Sequence, residues 1–222
     1  IVISDDNYLV FTWSNPNPRS NPLTLSKIVD GELVRVSSYT LGEDKKGYFT
    51  FPATEGFYVL ATETVLPQSK YVFYFKPGDK LNVDVANYTY TLVGKDNSKE
   101  NVEMEKWHTF MYPLELKSFR LMGDKTSTYK DFFPMVDKKA KEMESYKAAK
   151  TKNDKFDEVF PLYREYNFVD VTSYFLFTPR MAHPSKGDYP KYYKTIDVSK
   201  LSSTEMGLNY PNGIEVLKKA QH

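Results

Sequence analysis

The sequence contains no cysteine among its 222 residues. A chain without thiols has no disulfide framework, no thiolate nucleophile and no cysteine-ligated zinc site. It also has no run of about 18 consecutive apolar residues, the length that a membrane-spanning helix needs. The net charge of +1 gives no overall attraction for nucleic acid or for an acidic partner. The indications of function must therefore come from patterns within the chain.

Motifs of common catalytic sites are missing as well. The three histidines, His108, His183 and His222, have no metal-ligand spacing, and no nucleophile elbow, phosphate loop or calcium loop is present. Asp154, Asp157 and Glu158 stand at a predicted helix start, where negative charge complements the helix dipole. We therefore expect no catalytic residue, metal or cofactor. A hydrolase is a third-ranked hypothesis, since it needs two carboxylates about 5–9 Å apart in a cleft.

Aromatic residues are abundant, with 18 Tyr and 15 Phe, and most of those in the first 95 residues fall in strand-like runs. Residues 30–31 are Asp-Gly, a strong signal for a tight hairpin. Pro52 ends one run, and a proline-rich stretch over residues 14–22 breaks another. The apolar start at residues 1–3 also has strand character. The predicted strands cover residues 8–13, 23–29, 32–39, 48–51, 57–62, 71–75, 81–86 and 88–93. Such short, closely spaced strands predict an antiparallel β-sandwich or a partly open barrel.

Residues 71–101 form the transition from strands to helices. Lys76-Pro77-Gly78-Asp79 is turn chemistry between two predicted strands. After Gly94, Asp96-Asn97-Ser98 offers several helix N-caps before a charged, helical run. We therefore predict an α+β chain, with a β domain over residues 1–95 and an all-helical domain over residues 96–222.

The helical half is predicted from apolar residues at helical spacing. Pro113 is expected to kink or end the first helix, and Asp154 to cap the third. Polar breaks are expected at residues 123–127 and 151–154, and a loop at residues 178–190. One long helix is predicted to start near residue 99, and two others are predicted over residues 129–150 and 154–177. Shorter helices are predicted over residues 189–195, 202–208 and 211–220.

Three segments carry a resemblance to a known family. FKPGDKLNVD (75–84), YTLVGKDNSKEN (90–101) and FTPRMAHPSKGDYPKYY (177–193) resemble the N-terminal module of TlpA/ResA-like thiol–disulfide interchange proteins of Bacteroidetes. Members of that family carry Trp-Cys-x-x-Cys in a C-terminal thioredoxin fold, and this chain departs from the family by having no cysteine. The resemblance implies an envelope protein, often a lipoprotein, whose redox domain lies elsewhere in the protein.

The loop within residues 178–193 is the candidate contact surface. It gathers Arg180, His183, Asp188, Tyr189, Tyr192 and Tyr193. Arginine together with tyrosines is the composition of protein interfaces. The alternative is structural: the tyrosines fasten the loop to the helices, and Arg180 binds carbonyl groups at a helix end.

These observations lead to two hypotheses of different classes. In the first, the chain is a non-catalytic accessory module that positions a downstream thioredoxin-like domain, dimerises, or recognises client proteins. In the second, it binds a glycan or a peptide through exposed tyrosines. Because the chain starts inside a strand pattern and stops inside a helical one, we expect a fragment of a longer protein. By resemblance, only a lipid anchor preceding this chain would attach it to the membrane.

Overall fold

The structure is a computed structural model that describes residues 6–16, 22–63, 66–119 and 127–221. It divides into two compact units. The first comprises the residues up to His108 together with Leu208–Asn212, and the second comprises Thr109–Gly207 and Gly213–His222. The units thus divide at His108, whereas composition predicted a boundary between residues 95 and 96. The strand-like start at residues 1–3, most of the predicted breaks at residues 14–22 and 123–127, and His222 lie outside the described residues.

Within the described residues, strands come first and helices follow, which confirms the α+β class. The strands are β1 (Asn7–Trp13), β2 (Pro22–Val29), β3 (Glu32–Thr40), β4 (Lys46–Phe51), β5 (Gly56–Thr62), β6 (Lys70–Phe75), β7 (Lys80–Ala86) and β8 (Thr89–Leu92). The α-helices are α1 (Lys99–Ser118), α2 (Tyr129–Glu144), α3 (Asp154–Leu176), α4 (Tyr192–Thr195), α5 (Val198–Ser202), α6 (Met206–Asn209) and α7 (Gly213–Ala220).

The strands form two four-stranded sheets, with orders β4-β1-β7-β8 and β3-β2-β5-β6. Their facing sides share one core of buried aromatic and branched residues, so the fold is a sandwich, not a closed barrel. Phe51 of the first sheet lies 5.1 Å from the Phe75 ring and 5.2 Å from the Tyr58 ring of the second. Phe73 and Tyr90 meet in the same way at 4.9 Å. Aromatic packing of this kind explains the high Tyr and Phe content of this half.

One neighbouring pair departs from the expected antiparallel arrangement. β1 pairs with β7 in parallel, with Leu9 opposite Leu81 and Phe11 opposite Val83. Parallel neighbours cannot be joined by a tight turn, and here the chain passes through the whole second sheet before it returns as β7. Adjacent hydrophobic runs in the sequence do not reveal such a pairing, because β1 and β7 are far apart along the chain.

Side chains at the start of α1, and Ser98 just before it, stabilise the connection between the sandwich and the helix. Ser98 accepts the N–H of Asn101 at 3.2 Å, as expected of one of the predicted N-caps. Asn101 is fully buried and its amide accepts the N–H of Tyr74 and donates to the C=O of Tyr74, both at 2.8 Å. Its side chain therefore satisfies Tyr74 at the outer edge of β6, where no further strand pairs among the described residues.

The second unit is held together by aromatic stacking between its helices. Phe132 on α2 stacks on Phe175 of α3 with ring centres 4.1 Å apart. The Ser118 hydroxyl, at the end of α1, donates to the C=O of Val171 at 2.6 Å. Tyr166 on α3 donates to the C=O of Leu201 on α5 at 2.8 Å.

Helix boundaries differ from the prediction at several points. In place of the predicted helix over residues 202–208 the chain forms α5 and α6, and α4 starts at Tyr192, not at residue 189. Pro113 does not end α1, which continues to Ser118 with Met111 and Leu114 fully buried around the proline. α2 ends at Glu144, not at residue 150, because Ser145 leaves the helical conformation and its hydroxyl donates to the C=O of Glu142. The cap of α3 is Asn153, whose side chain accepts the N–H of Phe156, and Asp154 is the first helical residue. No helix among the described residues is long and apolar enough to cross a bilayer.

Candidate functional site

The segment 177–193 leaves the end of α3 and is fastened to the second unit by Arg180. The Arg180 guanidinium donates to the C=O groups of Lys117 and Ser118 at 3.1 and 2.8 Å, and to the C=O of Ser127 at 3.2 Å. It also lies over the Phe175 ring, 4.6 Å from its centre. Arg180 thereby satisfies carbonyl groups at the C-terminal end of α1, as the structural alternative expected.

Tyr192 and Tyr193 fasten the far end of the segment. The Tyr193 hydroxyl donates to the C=O of Thr172 at 2.7 Å, and the Tyr192 ring meets Phe168 edge-on at 4.7 Å. Burial raises the pKa of both phenols above the usual range. These two residues therefore act as structural contacts. Tyr192 also borders a cavity of about 570 Å³ in the second unit. The side chains that line this cavity include both carboxylates and lysines.

Asp188 organises the tip of the loop. Its carboxylate accepts the N–H of Ser185 at 2.8 Å and the Ser185 hydroxyl at 2.9 Å, closing a short 3₁₀ turn over Lys186–Asp188. These hydrogen bonds, the backbone one first, lower the pKa of Asp188. The Asp188 side chain therefore stabilises the turn, and it has a structural role and not a ligand-binding one.

The remaining part of the segment exposes apolar side chains. Phe177 is 50% exposed, Met181 98% and Tyr189 40%, and His183 is also exposed. The Tyr189 ring packs on Phe133 of α2 at 5.2 Å. Exposed large apolar residues that cluster in one loop indicate a contact surface.

A cavity of about 340 Å³ is lined by three of these side chains, Phe177, His183 and Tyr189. Of the six predicted residues, Arg180, His183 and Tyr189 line it, and the other three do not. Its aromatic walls are Phe133, Phe175, Phe177 and Tyr189, and Pro179, Ala182 and Pro184 add apolar surface. The prediction missed the phenylalanines, because Phe133 and Phe177 were assigned only to helices. The proline-flanked Phe177-Thr-Pro-Arg motif was the available signal.

A second exposed surface lies on the outer face of the first sheet. Tyr8 and Val10 of β1 and Tyr48 of β4 are 41%, 44% and 57% exposed, and Val10 stands directly opposite Tyr48. Two residues further along β1, the Thr12 hydroxyl donates to the carboxylate of Asp84 on β7 at 2.8 Å. Tyr8, Tyr48 and Tyr189 are the exposed members of the 18 tyrosines. The alternation of Tyr8 and Val10 with Leu9 and Phe11 marked this face in the sequence.

The segment 75–84 has a structural role. The Asp79 carboxylate accepts the backbone N–H of Lys76 at 2.8 Å and its ammonium at 3.0 Å, and the same ammonium pairs with Glu100 of α1. Asn7 donates to the C=O groups of Lys76 and Asp79 at 2.6 and 3.1 Å. This motif therefore joins the β6–β7 turn to β1 and α1.

His108, and Asp157 of the acidic group near residue 154, fall in structural positions. His108 is partly buried in the first unit, stacked on Tyr90 at 4.5 Å and 2.7 Å from the Thr89 hydroxyl. Burial lowers its pKa to about 4. Asp157 accepts the N–H and the hydroxyl of Thr151. In residues 6–16, 22–63, 66–119 and 127–221, no group of three histidine or carboxylate side chains could hold a metal ion.

Searches against protein-family models and among curated proteins found no match to this chain.

Proposed function

We propose that this chain is a non-catalytic accessory module of an envelope thiol–disulfide oxidoreductase. The observation that carries the proposal is the segment 177–193, which is fixed at both ends and leaves Phe177, Met181 and Tyr189 exposed. A contact surface on a rigid support loses little conformational entropy on binding. The resemblance of residues 75–84, 90–101 and 177–193 to the family, and the absence of cysteine, support the same role.

In this role the chain contributes binding and positioning, and a thioredoxin-like domain of the same protein contributes the thiols. The partners would be that domain, client proteins or a second copy of the chain. The protein would reside in the cell envelope, attached through a lipid anchor that precedes this chain.

The test is to express the product of the whole gene and to measure insulin reduction in parallel with these 222 residues alone. We expect the long protein to reduce insulin and the 222-residue chain to be inactive. Replacing both cysteines of the downstream Cys-x-x-Cys by serine is the control, and it should abolish the activity. A gene product without a Cys-x-x-Cys would overturn the proposal.

The outer face of the first sheet favours a second candidate, binding of a glycan. Tyr8 and Tyr48 present exposed rings on adjacent strands, and Asp84 and Thr12 supply polar groups on the same face. Aromatic rings stack on the apolar faces of sugars while polar neighbours bind their hydroxyl groups.

Retention on insoluble polysaccharides, including peptidoglycan, chitin and cellulose, tests this candidate. A Tyr8→Ala/Tyr48→Ala double variant should lose retention. Tyr189→Ala, which removes the exposed tyrosine of the other unit, should keep it. If the parent chain is not retained on any of these materials, the sheet face does not bind them.

A further inference from the structure

The 340 Å³ cavity beneath segment 177–193 has the size and lining of a binding pocket for one or two side chains. Binding sites for small groups are concave, mostly apolar and furnished with a few polar groups. Here the walls are the rings of Phe133, Phe175, Phe177 and Tyr189. The Phe175 ring is fixed by Arg180 on one side and by stacking on Phe132 at 4.1 Å. The pocket is therefore shaped before any ligand arrives.

The charge around the pocket has one dominant sign. No carboxylate is present among the described residues that line it, and Arg180 and His183 are its basic members. Beyond the lining, segment 177–193 carries Lys186 and Lys191 against the single carboxylate of Asp188, although Lys191 borders the 570 Å³ cavity, whose lining includes carboxylates. The positive charge of Lys130 on α2 also contributes to the lowered pKa of Asp188. An approaching chain with acidic residues is attracted to this rim, and a basic chain is repelled.

The pocket rim is open to solvent on the side of Phe177 and Tyr189, which are 50% and 40% exposed. A long ligand can therefore extend beyond the pocket while one of its groups enters it. Aromatic residues in such positions are typical of the anchor contacts that dominate peptide and protein recognition. The combination selects a chain with one bulky apolar group between acidic neighbours.

We propose that this pocket binds a bulky apolar side chain of an extended client polypeptide whose flanking residues are acidic. The inference rests on the proposed accessory function, since it names the substrate feature that such a module would recognise. A protein that is not yet fully folded exposes apolar side chains on extended segments, whereas a folded one buries them. The pocket thus distinguishes unfolded clients of a thiol–disulfide oxidoreductase from folded proteins.

Fluorescence anisotropy with labelled heptapeptides tests the proposal on the 222-residue chain itself. The probe peptide has one central phenylalanine flanked by glycine, aspartate and glutamate. Two comparison peptides replace the phenylalanine by alanine, or the acidic residues by lysine. We expect saturable binding of the probe and at least a tenfold loss of affinity for either comparison peptide.

Variants of the chain locate the binding site. Phe177→Ala should weaken binding of the probe at least tenfold, and Tyr189→Phe, which keeps the ring, should change it less than twofold. Ile214→Ala is the matched control, because Ile214 is 49% exposed and does not line the pocket. Circular dichroism and the unfolding midpoint confirm that each variant is folded. Because Phe177 is half exposed, its truncation should leave both unchanged.

Three outcomes would overturn the inference. In the first, the probe peptide shows no saturable binding up to millimolar concentrations of the protein. In the second, the Phe177→Ala variant binds the probe as tightly as the parent does. In the third, N-acetylphenylalanine amide binds as tightly as the probe peptide. Self-association of the chain that is lost in Phe177→Ala would assign the pocket to a second copy instead. The result is independent of the redox assay: a Cys-x-x-Cys downstream without peptide binding refutes only the pocket's role, and peptide binding without that motif refutes only the oxidoreductase.

Discussion

Asn101 takes the place of a neighbouring strand at the edge of β6. Its side-chain amide presents a C=O and an N–H in the arrangement of a peptide group, and both bond to Tyr74. An exposed strand edge invites pairing with another chain, and covering it from α1 prevents this. Asn101 thus covers the edge of β6 at Tyr74 and connects the first turn of α1 to the second sheet.

Asn101→Ala should lower the free energy of unfolding by about 2–3 kcal/mol, because it removes the two hydrogen bonds that the buried amide makes to the backbone of Tyr74. Urea unfolding followed by circular dichroism measures the change. Lys99→Ala, an exposed substitution in the same helical turn, is the control and should stay within about 0.5 kcal/mol of the parent. Equal effects of the two substitutions would contradict the assigned role of the amide.

Gly47 is a second residue whose identity follows from its contacts. A methyl group at this position of β4 would stand 2.6 Å from Cε1 of Tyr39 and would also meet the Phe11 ring. Gly47→Ala should therefore destabilise the chain by about 1–3 kcal/mol through overpacking. Gly42→Ala should be nearly neutral, because its methyl group would make an ordinary 3.5 Å contact with Asp44. Thermal unfolding of both variants compares the two sites.

His108 predicts a dependence of stability on pH. Its pKa is about 4 in the folded chain, below the ordinary value of 6.5 that the unfolded chain recovers. Below pH 6.5 the unfolded state binds the proton more strongly, so this contribution to stability falls as the pH decreases towards 4. We expect a loss of about 2 kcal/mol between pH 7 and pH 5 from this residue.

His108→Gln should remove that part of the pH dependence, and His183→Gln, at an exposed histidine, should retain it. Urea unfolding at pH 7 and pH 5 gives the difference for each variant. If the parent and His108→Gln lose the same stability over this interval, the histidine is not the titrating group.

At the scale of elements, segment 177–193 depends on Arg180 for its position. Three carbonyl groups, from Lys117, Ser118 and Ser127, accept from the guanidinium. Arg180→Ala should accelerate amide hydrogen exchange across residues 178–190, because the segment then opens without global unfolding. Lys186→Ala, an exposed change in the same loop, should leave exchange at the parent rate. Unchanged exchange in Arg180→Ala would show that other contacts fix the loop.

The sequence predicted the positions of strands and helices better than it predicted which strands pair. Alternating and unbroken apolar runs between turn signals located the described strands, and Asp30-Gly31 correctly marked the β2–β3 hairpin, where both residues adopt positive φ. The parallel β1–β7 pairing was not predictable, since it depends on contacts between distant segments. The end of α2 was missed because Ser145 competes for backbone hydrogen bonds in a stretch that is otherwise rich in helix formers.

The candidate site was predicted in part for a related reason. Composition identified the segment that holds Arg180, His183 and Tyr189, but it could not separate these from Tyr192 and Tyr193, which turn inward. The other pocket walls, Phe133 and Phe175, belong to α2 and α3. Their convergence is a property of helix packing, which a single sequence does not encode locally.

At the scale of the whole molecule, the first unit is discontinuous in sequence. Leu208–Asn212 belongs to it, and Gly31 of the β2–β3 hairpin donates to the C=O of Leu208 and accepts the N–H of Asn212, both at 2.8 Å. Tyr210, between them, is 2% exposed. Both tryptophans, Trp13 and Trp107, lie in this unit, so their fluorescence reports on its unfolding.

Truncation after residue 203 should therefore lower the unfolding midpoint seen by tryptophan fluorescence. Truncation after residue 212 removes α7 but keeps the Leu208–Asn212 segment, and it should leave that midpoint close to the parent value. Equal midpoints for the two truncations would show that the segment does not stabilise the sandwich.

The return of Leu208–Asn212 to the first unit also sets the order in which a ribosome can finish this protein. The strands emerge early, but the last piece of their unit follows the 99 residues from Thr109 to Gly207. At about 5–20 residues per second, that interval lasts roughly 5–20 s. During that time the β2–β3 hairpin lacks the two backbone hydrogen bonds that Leu208 and Asn212 later make to Gly31.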